Sequence, residues 1–118
     1  YPHKGTWKEA STVQRGYEFN YPLLPFMNEV HKGNLPEAKS FMKLEPSNLV
    51  LTTVKKAEDS DAWVLQWYEA RGEDSQAVLS LPRIPKKGVS SNFLEEEGTP
   101  VSFDKNTVKL KTKKNSVK

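Results

Sequence analysis

The chain has 118 residues, 36% of them hydrophobic and 28% charged, with a net charge of +3 and no cysteine. That length suits one domain able to bury a core without staples, and the absence of cysteine excludes disulfides, thiolate metal sites and cysteine nucleophiles. No apolar run nears the roughly 20 residues of a membrane span and the N-terminus lacks the charged and apolar regions of a signal peptide, so the sequence reads as soluble and without a membrane partner; its composition suits a cytoplasmic origin better than a small secreted scaffold.

Taken in chain order, residues 1–39 are expected to be an extended, irregular segment and residues 40–118 the strands of a single β-sandwich domain. Pro2, Pro22, Pro25 and Pro36 make the first part proline-rich, and "YPLLPFMNEV" fits neither a regular helix nor a central strand. Around Arg15 to Tyr21, the alternation of Tyr17, Phe19 and Tyr21 with Glu18 and Asn20 predicts a half-buried strand. Tyr21, Leu23, Leu24, Phe26 and Met27 are greasy for a loop, and such a patch should meet either its own sandwich or a neighbouring body. The sequence begins at Tyr1 rather than at methionine and ends on "KTKKNSVK" in mid-alternation, so it reads as a piece of a longer protein.

From residue 40 the pattern becomes short strands punctuated by turns. "SFMKLE" ends at Pro46; "LVLTTVK" is rich in β-branched residues; "AWVLQWYEA" is closed by "RGEDS", and "AVLSL" by Pro82 and Pro85. "VSSNFLEE" follows, then a hairpin of "VSF" and "TVKLKT" in which Val108 and Leu110 face inward and Thr107, Lys109 and Lys111 outward. With no convincing helical period, these strands predict an all-β, antiparallel β-sandwich. The excess lysines (Lys105, Lys109, Lys111, Lys113, Lys114, Lys118) follow the last aromatic, Phe103. They suit the wet face of an edge strand rather than a nucleic-acid surface, which would interleave stacking rings.

The acidic knot from Glu58 to Asp61 poses the chemical question. Placed between two strands that would pair as a hairpin, Ala57 to Asp61 reads as a turn, because Asp and Ser side chains satisfy turn amides. A calcium loop would need a D-x-D-x-D-G pattern with a distal glutamate, and it is missing. His3 and His31 belong to no H-x-x-x-H or H-x-D pattern, so no metal site is expected on this chain. The strand after the knot sets Trp63, Leu65 and Trp67 on one face and Ala62, Val64, Gln66 and Tyr68 on the other, which predicts a central strand with both faces covered. Glu69 then either marks the strand's exit to solvent, pairing with Arg71 or a cross-strand lysine, or fixes a loop at a domain interface or sugar rim. Asn92 and the glutamates of "NFLEEEG" have the same two readings.

The ordered pattern "LEPSNLVLTTVKKAEDSDAWVLQWYEARG", with "LSLP" and "SNFLEEEG" after it, resembles the C-terminal β-domain of family 38 glycoside hydrolases, the α-mannosidases. Members similarly carry an E-P-x-N-V-V-L-T-A-x-K-x-A-E-D turn, an apolar strand ending in Y-E, and an N-L-x-E segment. The match runs from about Leu44 to Gly98. It departs at Gln66, where the family often has arginine, and at Trp63 and Trp67, where aliphatic residues are more usual. The resemblance implies retaining hydrolysis of α-mannosides by a separate N-terminal catalytic domain that carries the nucleophilic aspartate and a zinc ion on His and Asp ligands. This chain would supply no catalytic residue and no cofactor. It would pack on that domain as a partner and complete the rim over the mannoside substrate, with Gln66, Tyr68, Glu69 and Asn92 as substrate-rim or domain-interface candidates; a homo-oligomeric parent is compatible with it. Two other readings stand beside it. One is an independent carbohydrate-binding module using Trp7, Trp63 and Trp67, the last two roughly 13 Å apart along one strand. The other is a protein-interaction sandwich unrelated to sugars.

Overall fold

Strand-forming residues alternate with turns from residue 40 onward, and they form eight short strands: β1 (Lys43–Glu45), β2 (Leu49–Lys56), β3 (Trp63–Glu69), β4 (Ser75–Ser80), β5 (Val89–Ser91), β6 (Glu97–Pro100), β7 (Phe103–Asp104) and β8 (Thr107–Thr112). The computed structural model describes residues 1–118, the side chain of Glu97 excepted, and separates into two units, Tyr1–Lys39 and Ser40–Lys118. Every strand pairing is antiparallel, as the sandwich expected from the strand spacing requires.

One sheet has the order β1-β4-β8-β7, and the hairpins β2-β3 and β5-β6 form the other two. Ala77 and Leu79 of β4 and Val108 of β8 are buried with Leu49 of β2 and Trp67 of β3, and Leu44, Leu51, Leu65, Phe103 and Leu110 pack around them. Two layers therefore share one core, each contributing the apolar alternate positions of its strands. On β8 the alternation is clean: Val108 and Thr112 are buried while Lys109 and Lys111 are exposed. Next to this sheet, the backbone of Gly88 lies so close to the Phe103 ring that an added Cβ would overlap it, so only glycine lets that ring settle into the core's margin.

The β2-β3 hairpin carries a bulge at Thr52, where Leu51 pairs with Trp67 but Thr53 with Gln66, and the Thr52 hydroxyl donates to the Gln66 carbonyl at 3.2 Å. β3 is also paired on its far side. Trp67 and Lys118 exchange two backbone hydrogen bonds of 2.8 Å, and Glu69 N–H donates to the Ser116 carbonyl at 3.0 Å. The strand is thus central in its ribbon, but the expected cover on both faces holds only toward its C-terminal end. Trp67 is 4% exposed and Trp63 57%, because the facing core residues gather at the Leu49 and Glu69 end and the turn end of the hairpin extends past them.

In the first unit the strand expected around Arg15 to Tyr21 is instead a helix, α1 (Thr12–Asn20). An alternation this short also satisfies helical spacing. Tyr17 and Tyr21, four apart, stack with centroids 5.8 Å apart, and Arg15 and Glu18, three apart, form an ion pair at 2.6 Å. A capping box begins the preceding turn: Thr6 N–H donates to Glu9 Oε2 at 2.7 Å and Glu9 N–H donates to Thr6 Oγ1 at 3.4 Å. After α1 the backbone adopts no regular structure up to β1, and Leu23, Leu24, Phe26, Met27 and Val30 are all exposed. Among the described residues, no helix is long and apolar enough to cross a membrane.

The burial of Leu79 at 2% exposure gives a direct stability test. Leu79→Ala is expected to cost about 2–5 kcal/mol in urea unfolding, through lost transfer energy and the cavity left behind. Leu23→Ala, on an exposed side chain, should stay within about 0.5 kcal/mol of the parent chain.

Candidate functional site

The most highly organised polar cluster lies where the β2-β3 hairpin meets the facing sheet. Glu69 is the last residue of β3 and, by strand alternation, shares the core face of Leu65 and Trp67. Its side chain is 3% exposed, so neither the solvent exit nor the lysine pairing allowed by the sequence is realised. Oε1 accepts from Asn48 Nδ2 at 2.9 Å and from the Arg71 amide at 2.6 Å. Oε2 accepts from the amides of Gly72 at 2.8 Å and Asn115 at 3.0 Å. Gly72 sits at φ +74°, a left-handed conformation that glycine adopts without strain and that turns its N–H back onto the carboxylate.

Asn48, itself 4% exposed, extends the network. Its Nδ2 also donates to Ser75 Oγ at 2.7 Å at the start of β4, and its carbonyl accepts from the Ala70 amide at 2.8 Å. On the same side, Asp74 accepts from the Lys114 amide at 2.8 Å. The start of β2, the end of β3, the start of β4 and the chain beyond β8 therefore meet at one buried carboxylate. Burial, the largest single influence, pushes the Glu69 carboxyl upward, but the hydrogen bonds from Asn115, Asn48, Arg71 and Gly72 together outweigh it and hold the group at about 2. A buried carboxylate engaged by four donors, three of them backbone amides, fixes the backbone around it.

The other three candidates lie elsewhere. Gln66 and Tyr68 are half-buried on the opposite face of β3, and Gln66 Oε1 accepts from Thr53 Oγ1 at 3.2 Å. Asn92 is exposed and folds its own turn. Its Oδ1 accepts from the amides of Leu94 at 2.9 Å and Glu96 at 3.2 Å, and its Nδ2 donates to Glu96 Oε2 at 2.6 Å. That Asx turn stops β5 at Ser91 and delivers Glu95 to the tip of the β2-β3 hairpin, where its Oε2 accepts from the Glu58 amide at 3.1 Å and its Oε1 pairs with Lys55. The structure thus gathers Glu69 with Asn48, Ser75 and Asn115 and leaves Gln66, Tyr68 and Asn92 apart. Asn48 carried a sequence signal, because the E-P-x-N and Y-E elements of the quoted pattern are the two pieces that meet.

The acidic knot is a turn. The Ala57 amide donates to the Ala62 carbonyl at 2.9 Å, Ser60 Oγ accepts from the Ala62 amide at 3.3 Å, and Asp61 pairs with Lys56 at 2.7 Å in full solvent. Among the described residues no three His, Asp or Glu side chains are grouped so as to hold a metal ion. A two-ring sugar platform from Trp63 and Trp67 is not formed, since Trp67 is buried and its Nε1 donates to Thr112 Oγ1 at 3.1 Å.

The carboxylate node predicts acid sensitivity with a definite sign. The folded-state value of about 2 lies below the ordinary 4.5, so its stabilisation is complete above pH 4.5 and is lost as pH falls from there through 2. The linked loss is on the order of 3 kcal/mol. Glu69→Gln must set an amide NH₂ against two N–H donors in either orientation, so it is expected to lose about 3 kcal/mol at pH 7. Urea midpoints measured between pH 2 and 7 should then have a shallower acid slope than those of the parent chain.

Comparison with known proteins agrees with this architecture. The model of the glycosyl hydrolases family 38 C-terminal beta sandwich domain matches residues 48–117. Human alpha-mannosidase 2C1 is 37% identical over 97 residues, covering 80% of this chain and 9% of that protein. Alpha-mannosidase G of Dictyostelium discoideum is 28% identical over 109 residues, covering 81% of the chain and 9% of that protein. Mouse alpha-mannosidase 2C1 is 29% identical over 115 residues, covering 92% of the chain and 11% of that protein. The chain thus spans about a tenth of the length of these curated relatives, and no solved structure matches it. From its antiparallel two-layer core to the family match across residues 48–117, the chain belongs to the C-terminal β-sandwich domains of family 38 glycosyl hydrolases.

Proposed function

We propose that the chain is the non-catalytic β-sandwich of an α-mannosidase, which packs on the enzyme's catalytic domain and helps complete the rim over a terminal α-mannoside. The family match over residues 48–117 carries this reading, and relatives named as α-mannosidases support it. The disposition of carboxylates is consistent with it. A retaining glycosidase needs two carboxyl groups roughly 5 Å apart facing a sugar pocket, whereas here Glu69 is consumed by backbone donors and the acids of the 58–61 turn face solvent. In this reading the nucleophile and a zinc ion with its ligands belong to the catalytic domain, and the chain's part is mechanical: the Glu69 node holds the loop at residues 70–72 in one conformation. A cytoplasmic setting suits a domain whose stability involves no disulfide.

Two measurements test the proposal. The full-length protein should release aryl leaving group from an aryl α-mannoside while the 118-residue chain releases none; release by the chain alone would sink the non-catalytic assignment. The carbohydrate-module alternative rests on Trp7 and Trp63, which are exposed. Iodide should quench these two indoles and spare Trp67, and manno-oligosaccharide should leave the emission of the 118-residue chain unchanged. A saturable shift with sugar would favour the module.

A further inference from the structure

The segment following α1 combines three properties that rarely coexist in a free loop. It is strongly apolar, with Leu23, Leu24, Phe26, Met27 and Val30 within eight residues, and each of these side chains is at least 77% exposed. It belongs to no helix or strand. It is also conformationally restricted, because Pro22 and Pro25 fix their own φ angles and hold Tyr21 and Leu24 away from helical geometry. At the three-residue period that such backbone favours, Leu24, Met27 and Val30 fall along one edge. A proline-restricted segment with an apolar edge loses less chain entropy on binding than a free loop and gains from every side chain it buries, which is the physics of a docking strap.

The strap also lies within the part of the chain that is similar to a much longer polypeptide. The family model begins at residue 48, yet the likeness to mouse alpha-mannosidase 2C1 covers 92% of the chain, a share unattainable without most of residues 1–39. The strap therefore belongs to the α-mannosidase context although it lies outside the sandwich match, and in that relative about nine-tenths of the polypeptide lies beyond the matched part. We propose that residues 23–30 seat in an apolar groove on the catalytic portion of the same α-mannosidase polypeptide. This rests on the mannosidase reading and adds to it the surface through which the two parts are joined.

Engineered cysteines test the strap directly, since the 118-residue chain contains no thiol of its own. Leu24→Cys and Met27→Cys would be introduced singly into the 118-residue chain and into the full-length protein, and maleimide labelling of the engineered site followed by peptide mass spectrometry. Both sites should label freely in the 118-residue chain and at least about tenfold more slowly in the full-length protein, as access to the thiolate is lost. Equal labelling in the two forms would overturn the proposal. So would slow labelling in the 118-residue chain, whether it is relieved by dilution, which indicates a second copy, or independent of concentration, which indicates cover by the chain's own sandwich. Protected thiols in a full-length protein that cleaves no α-mannoside would support the docking and count against the mannosidase reading alone.

Discussion

A single ionised carboxylate, that of Glu69, joins segments of the sandwich domain that are remote in sequence. Burying a charge costs several kcal/mol unless hydrogen bonds replace its hydration, and here four donors do so from Asn48, Arg71, Gly72 and Asn115. Each donor comes from a turn or strand end whose N–H groups need an acceptor outside the strand ladders. The arrangement satisfies both sides at once, so the 70–72 loop, the 46–48 turn and the chain after β8 are specified together rather than one by one.

The apolar core depends on that junction for its alignment. Leu49 directly follows Asn48, and Trp67 precedes Glu69 on the same face of β3, so the polar node and the aromatic centre of the core share one end of the hairpin. Trp67 adds its own polar tie through Thr112, a fully buried hydroxyl on β8, which links the two layers by a hydrogen bond as well as by contact. Toward the other end of the hairpin burial fades, and the polar connections there, between Lys55, Glu58 and Glu95, are solvent-accessible and correspondingly weak. The domain is thus graded, with a tightly specified end at Glu69 and a looser tip at the 58–61 turn. Local openings are expected to favour that tip.

Much of the strand content was readable because β-branched and aromatic runs between Pro, Gly and Asx turns leave few alternatives. The Ala57–Asp61 turn and the inward alternation of Val108 and Leu110 are clear cases. The helix at residues 12–20 was missed because its aromatic alternation fits both periods over so short a stretch, and its N-cap, Ser11, makes no side-chain capping bond that would mark its start. β6 was missed for the opposite reason, since Glu97–Pro100 contains Gly and Pro, which argue against a strand until a partner such as β5 is known. Of the candidate residues, Glu69 was singled out for its position after an apolar run, whereas its partners Ser75 and Asn115 offered only ordinary turn chemistry.

Amino-acid order alone determined the class of the domain, the places where the chain reverses, and, through the E-P-x-N and Y-E elements, the family to which it belongs. These follow from side-chain periodicity and turn preference, which act over a few residues. Tertiary structure decided that Trp67 is interior while Trp63, on the same face of the same strand, is open, and that Glu69 is a buried anchor rather than a solvent-facing end. Those outcomes depend on where the facing sheet stops and on a backbone amide 46 residues away at Asn115. Local pattern carries no information about either, because burial and hydrogen-bond supply are properties of what lies across the core.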